Sequence, residues 1–345
     1  RIKPNGDPTM PDRMIDSRMN AVLMLRLSFV LSLSALLASL AGGCAASHHP
    51  TVQGRLGTPA SSDDMLRVIN EPGPIVFEKV LAAHWTVIRS GLINFDHPNA
   101  VAANLEDGDE PIEIYFYVLR HPKFGTFIVD SGVESGFRTP ESSQHVSWLV
   151  GWAMKTDQVD VKITTAEWLA AQSQPLAGVF ITHLHLDHVM GLPDVPAGTP
   201  VYAGPGETEA SQVLNAFTRG TVDRMLSTTS ALNEWPFAED AANRFAGVLD
   251  IFGDGSVWAI HVPGHTPGST AFVVRTPQGP HLLVGDATHT RWGWENGVEP
   301  GSFSHDPPQS AVSLKTLLDL SAQVPEMKVH PGHQSLEDES LAAGF

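Results

Sequence analysis

The chain has 345 residues, 38 of them acidic and 21 basic, for a formal net charge of −17, and 42% of its residues are hydrophobic. That composition sets aside a wholly disordered chain and a polytopic membrane protein, and the negative balance argues against nucleic acid, whose phosphates call for a basic face. The single cysteine removes any disulfide framework or Cys-rich zinc finger, while 16 histidines are enough for their positions to matter.

Residues 1–44 read as upstream residues followed by a signal peptide. Arg26 precedes Leu27 to Gly43, an uncharged run of 17 residues. This is short for a membrane span, which needs about 20 apolar residues, and it suits the apolar region of a removable secretory signal. The run ends Leu40-Ala41-Gly42-Gly43-Cys44, which resembles a bacterial lipobox. The resemblance implies lipidation of Cys44 and a mature protein held in the cell envelope, facing the periplasm; an ordinary signal would instead release a soluble periplasmic or secreted form. Beyond Cys44 there remain 16 basic and 35 acidic residues, a balance of −19, so contact with a membrane would come only through the acyl chains. Residues 45–70 are rich in Ser, His, Pro and Gly with little periodicity and are expected to form a tether. Residues 71–345 are then the folded domain.

Ile112 to Leu119 is a β-rich run, residues 121–125 are turn-like, and Thr126 to Val129 is a second apolar run. Together they predict a hairpin that delivers Asp130-Ser131-Gly132 at its far end. Residues 134–175 read as an insertion with helical stretches and an apolar patch of Val146, Trp148, Leu149, Val150, Trp152 and Met154. Ala177 to Thr182 has the pattern of a short buried strand, Pro200 to Ala203 suggests another, and Glu207 to Arg219 a helix. Ser256 to Val262, Ser269 to Arg275 and His281 to Val284 are strand-like. Pro308 to Gln323 has helical periodicity through Val312, Leu314, Leu317, Leu318 and Leu320, and Met327 to Val329 reads as a last short strand. This interleaving predicts an α/β or α+β class.

The sharpest chemical signal is Thr182-His183-Leu184-His185-Leu186-Asp187-His188. Three imidazoles and a carboxylate crowded together are unfavourable unless something positive organises them, and both are ligand types of zinc and similar metals. At a strand end His183 and His185 project to the same side, while Asp187 and His188 follow on the turn and can face a second metal. A polar loop with incidental histidines is the bland alternative. Three further segments share the flavour: His265 on the Gly/Pro-shaped loop 262–269, Asp286 at the end of an apolar strand, and His330 and His333 on the turn 329–333.

In this order the segments resemble the metallo-β-lactamase superfamily, over roughly residues 75 to 340. The resemblance implies an α+β fold, the four-layer αββα sandwich with metals at one edge. It also implies two divalent metal ions, zinc by default: His183, His185 and His265 would hold the first, Asp187, His188 and His333 the second, and Asp286 would bridge both. His330 competes with His333 for the last position, and His261 and His289 match no ligand position. Asp286 points away from the true class B β-lactamases, which carry Cys or Ser there. The implied chemistry is hydrolysis by water activated between the two ions, with Asp187 taking a proton.

The pattern is closest to the N-acyl homoserine lactonase branch, whose members open a lactone ring and carry a Tyr three residues after the bridging Asp. His289 stands at that position here, as a substitute hydrogen-bond donor or as the mark of a different small-molecule substrate. Pocket walls are expected from Trp148 to Met154 and from Arg291 to Trp294, where aromatics could hold an acyl chain or an aryl leaving group. The 146–154 patch could equally form a homodimer surface. The rival readings are a phosphotriester or β-lactam hydrolase on the same metals and, from another class, a metal-binding surface lipoprotein with a relict site.

Overall fold

The computed structural model describes residues 44–138, 146, 148–212 and 215–337. The expected signal segment, up to Gly43, lies outside the described residues, as do the side chains of Trp148 and Leu149.

The frame follows from strands that are apolar on both faces. Along Asp109–His121, Tyr115, Tyr117 and Leu119 point to one side and Ile112, Ile114, Phe116 and Val118 to the other, the period of two that a pleated strand imposes. Both sets are buried, which is why the run reads as continuously apolar rather than alternating. The first set meets Phe127, Val129 and Phe180 and, across from them, Leu249, Val257, Ala259, Phe272 and Val274, one apolar layer between two sheets. The second set packs outward against Trp168, Val189, Met190, Val222 and Met225. On the far side Trp258, Ile260, Ala271, Val273 and Leu282 lie against Met65, Ile69, Leu317 and Leu320. Helix, sheet, sheet, helix is the expected αββα sandwich.

The larger sheet has eight strands in the order Thr51–Gln53, Leu232–Glu234, Val201–Ala203, Leu176–Phe180, Gly125–Val129, Asp109–His121, Val76–Ile88, Asp160–Val161. The six strands of the other run Lys328–Pro331, Gly279–Gly285, Thr270–Thr276, Val257–His261, Gly247–Asp250, Thr58–Ala60. The expected hairpin is present, with Tyr117 opposite Val129 and His121 opposite Gly125; Gly125 turns the chain at φ +95°, a conformation that favours glycine. The long outer helix Pro307–Gln323 starts where Asp306 accepts from the Gln309 amide and Pro307 takes the first position, where its missing N–H leaves nothing unsatisfied. Among the described residues, no helix is long and apolar enough to cross a membrane.

Two expectations are corrected. Residues 45–70 are no tether: 51–53 pair with 232–234, and 58–60 with 248–250. Ser62–Val68 is a helix opened by a reciprocal cap between Ser61 and Asp64. Three-residue strands are too short to show a period, which is why this stretch looked irregular. The helix expected over Glu207 to Arg219 instead begins at Asn215 and runs to Met225. Residues 205–209 form turns instead, and among them the buried Glu207 carboxylate accepts from the Leu184 and Gly268 amides.

Candidate metal centre

Strands Gly125–Val129 and Leu176–Phe180 are parallel neighbours in one sheet, as are Gly279–Gly285 and Lys328–Pro331 in the other. Each pair therefore delivers the residues after it to a common edge. Asp130, the histidine run from His183, Asp286 and His333 all arrive there, and His265 joins them from the loop after Val257–His261.

Asp286 is the hub. Its Oδ2 lies 3.5 Å from His183 Nε2, 3.5 Å from His265 Nε2, 3.2 Å from His188 Nε2 and 3.4 Å from His333 Nε2. His185 Nδ1 stands 2.9 Å from His265 Nε2, and Asp187 Oδ2 is 3.1 Å from His333 Nε2. Donor atoms of His183, His185, His265 and Asp286 lie within 4.8 Å of one another, as do those of Asp187, His188 and His333.

These residues fit divalent ions on grounds internal to the site. His183 Nε2 and Asp286 Oδ1 are buried with no hydrogen-bond partner among the described residues, although a buried polar atom left unsatisfied is unfavourable by about 1–3 kcal/mol. Burial holds His183 and His265 well below the ordinary imidazole value and His185 down at about 4, leaving neutral rings with free lone pairs, the form that binds metal. At His188 and His333 burial works the same way, but Asp286 and the other carboxylates outweigh it. His188 rises well above its usual value and His333 to about 10. A positive charge is thus favoured beside those carboxylates, and Asp187 and Asp286 are themselves held below the usual carboxylate range by the surrounding imidazoles against the effect of burial.

The ligand side chains are oriented from behind, as metal-binding histidines generally are. His188 Nδ1 is 2.8 Å from Asp130 Oδ2, and the same carboxylate accepts from the Thr182 amide and hydroxyl. Asp130 holds φ +59° to reach this position, uncommon for a residue with a side chain. His333 Nδ1 donates to the Glu113 carbonyl at 2.9 Å. Glu207 ties two ligand loops together through Leu184 N, Gly268 N and the Thr266 hydroxyl, and burial pushes its carboxyl up to about 7. Gly332 has a steric purpose, since a Cβ there would stand 2.0 Å from Asp286 Oδ1.

All seven residues expected as ligands come together, His333 among them and His330 apart. His330 is buried between the sheets, its Nε2 3.0 Å from His281 Nδ1, whereas His333 is in the cluster. His261 stays apart, its ring 5.3 Å from that of Phe237 and its Nε2 on the Pro267 carbonyl. The expected pocket walls are corrected. Trp292 and Trp294 sit on the helix Arg291–Asn296 and pack against the two outer cores, and Trp152 is 77% exposed. Of the 146–154 patch, Met154 lines the pocket. Its other walls come from scattered apolar residues, among them Trp85, Leu92, Ile112, Leu186 and Phe303, and its floor includes His185, Asp187, Asp286 and His333. Sequence reasoning assigned no role to Asp130 or Glu207; the strand-end position of Asp130 was the one available signal.

The metallo-beta-lactamase superfamily model matches residues 110–333. An N-acyl homoserine lactonase, AttM, of Azorhizobium caulinodans is 28% identical over 265 residues, covering 72% of this chain and 97% of the relative. An N-acyl homoserine lactonase of a Bacillus species is 24% identical, covering 68% of this chain and 86% of its own length. Among solved structures, a quorum-quenching N-acyl homoserine lactone lactonase superposes with a TM-score of 0.56 at 18% identity, over 79% of this chain and 96% of that one. A probable metal-dependent hydrolase from Staphylococcus aureus has a TM-score of 0.56 at 16% identity, over 76% of this chain and 91% of that one. These identities carry the fold, and the family match begins in the central hairpin and ends on the last histidine of the cluster: the chain belongs to the metallo-beta-lactamase superfamily.

Proposed function

We propose that the protein is a metal-dependent hydrolase that opens lactones of the N-acyl homoserine lactone class. The observation that carries this reading is the junction of the His/Asp cluster with an apolar pocket. A carbonyl set at the floor meets the charged groups, while an acyl chain lies along Trp85, Leu92, Ile112 and Phe303. The family membership and the lactonases among the similar proteins support the same substrate class.

His183, His185 and His265 would hold one divalent ion and Asp187, His188 and His333 a second, with Asp286 between them and zinc the first candidate. Such ions supply Lewis acidity, polarising an ester carbonyl and lowering the pKa of water toward neutrality. The chain's own groups do the rest. The apolar walls exclude bulk water and strengthen every charge interaction inside. Asp187 lines the pocket floor, where its carboxylate would accept the proton lost by water and pass it to the alkoxide oxygen released on ring opening.

The test offers metal-loaded protein a long-chain acyl homoserine lactone, a phosphotriester and a cephalosporin, following proton release. Chelator-sensitive opening of the lactone is expected. Hydrolysis of the phosphotriester or the cephalosporin without the lactone would overturn the substrate class while leaving the metal chemistry standing.

We also propose export and lipidation at Cys44. The motif before it supports this; just after it, Ala45 pairs with Ser211 and Ala46 lines the pocket. An acyl anchor there would set the pocket within two residues of the lipid attachment. Mass spectrometry of the N-terminal peptide from envelope fractions should find a diacylglyceryl group on Cys44, and a free thiol would overturn the proposal.

A further inference from the structure

Four of the imidazole nitrogens around Asp286 Oδ2 belong to the expected ligand set. A fifth lies nearer than any of them: His289 Nε2, at 3.1 Å. The His289 ring borders the pocket but is buried, its side chain 2% exposed, and its other nitrogen, Nδ1, is 3.2 Å from the Leu92 carbonyl oxygen. A carbonyl only accepts, so the ring proton sits on Nδ1 and the lone pair of Nε2 is aimed into the cluster. A lone pair facing a carboxylate oxygen at this range is repulsive unless a cation lies between or beside them.

His333 is held in the same way. Its Nδ1 donates to the Glu113 carbonyl and its Nε2 faces Asp286. The two rings are nearly parallel, 13° apart with centroids at 5.6 Å, and the His333 amide donates to the His289 carbonyl at 2.9 Å. Donor atoms of Asp286, His289 and His333 lie within 4.8 Å of one another, and imidazole nitrogens bind such ions at about 2.0–2.1 Å.

We propose that His289 is a further ligand of the dinuclear centre, entering the sphere of the second ion with Asp286 and His333. The inference rests on the metal reading of this cluster. It replaces the expectation of His289 as a hydrogen-bond donor to substrate, because the tautomer fixed by Leu92 leaves no hydrogen on Nε2 to donate. With Asp187, His188, Asp286, His289 and His333 the second ion would have five protein ligands, a number that catalytic zinc reaches on expanding from four. Cobalt accepts the same number and reports it in its visible bands.

The experiment titrates metal-free protein with Co2+, following the visible d–d bands and competing with a chelator. It compares the unmodified chain with His289→Gln, which keeps a donor for the Leu92 carbonyl, and His289→Tyr, which places the lactonase-branch residue there. The expected result is a second Co2+ bound at least about tenfold more weakly in both variants, with altered bands and an unchanged first site. Two Co2+ bound with unaltered affinity and bands in both variants would overturn the ligand role, with the dinuclear reading intact. Failure of the unmodified chain to bind Co2+ at all would overturn both.

Discussion

Asp286→Ala is expected to lower lactone turnover by about a thousandfold or more and to leave the protein with fewer bound metal ions. The residue sits 3.1–3.5 Å from five imidazole nitrogens, and no neighbouring carboxylate can take its place between the two groups of ligands. Asp187 serves the His188 and His333 side, and Asp130 is engaged behind His188 with Thr182. Stabilisation by a metal ion amounts to several kcal/mol at the transition state, and about 4 kcal/mol corresponds to a factor of a thousand. The measurement is kcat/KM together with metal counted per chain, and a circular dichroism spectrum matching the unmodified protein would show that the fold is kept. Full activity with two ions still bound would mean that Asp286 bridges nothing.

The largest loss of stability is expected for Phe180→Ala, about 3–5 kcal/mol. Phe180 is fully buried between the sheets, its ring 4.9 Å from Phe127, 5.2 Å from Trp235 and 6.0 Å from Phe272. Those partners come from both sheets and from the segment after Leu232–Glu234, so no one neighbour can move to fill the hole. The position is also close to the chemistry, because Phe180 is followed by Ile181, Thr182 and His183, and its carbonyl accepts from the Asp130 amide. Denaturant unfolding should show the midpoint falling with an unchanged slope, and metal affinity should weaken alongside. A loss below about 1 kcal/mol would contradict a rigid core behind the histidine run.

The features legible in the sequence are those whose cause is local. The run from His183 to His188 could be read because four ligands arise on one strand end and the turn after it. The sandwich was implied only through the family resemblance those ligand segments carry; its physical basis is that strands such as Asp109–His121 are apolar on both faces, a pattern that requires cover on each side. Asp130 and Glu207 were not assigned because their partners lie far along the chain, at His188 for the first and at Leu184 and Gly268 for the second. The pocket walls escaped for the same reason: Trp85, Leu92 and Phe303 converge only in the fold. Trp292 and Trp294, which looked like walls, lie on a helix whose Thr290 cap accepts from the Gly293 amide, and that helix carries their rings to the outer cores. His289 was flagged by its position after Asp286, but its role turns on which nitrogen faces the Leu92 carbonyl, and no linear pattern contains that.

The central claim is that this cluster hydrolyses lactones through bound divalent ions. The most direct measurement strips the full chain of metal, returns Zn2+ or Co2+ in counted steps, and records acyl homoserine lactone opening against metal bound per chain. The account predicts no turnover without metal and activity that rises to completion as the second ion binds. Turnover by the metal-free protein, or a protein that takes up two ions and leaves the lactone intact, would contradict it.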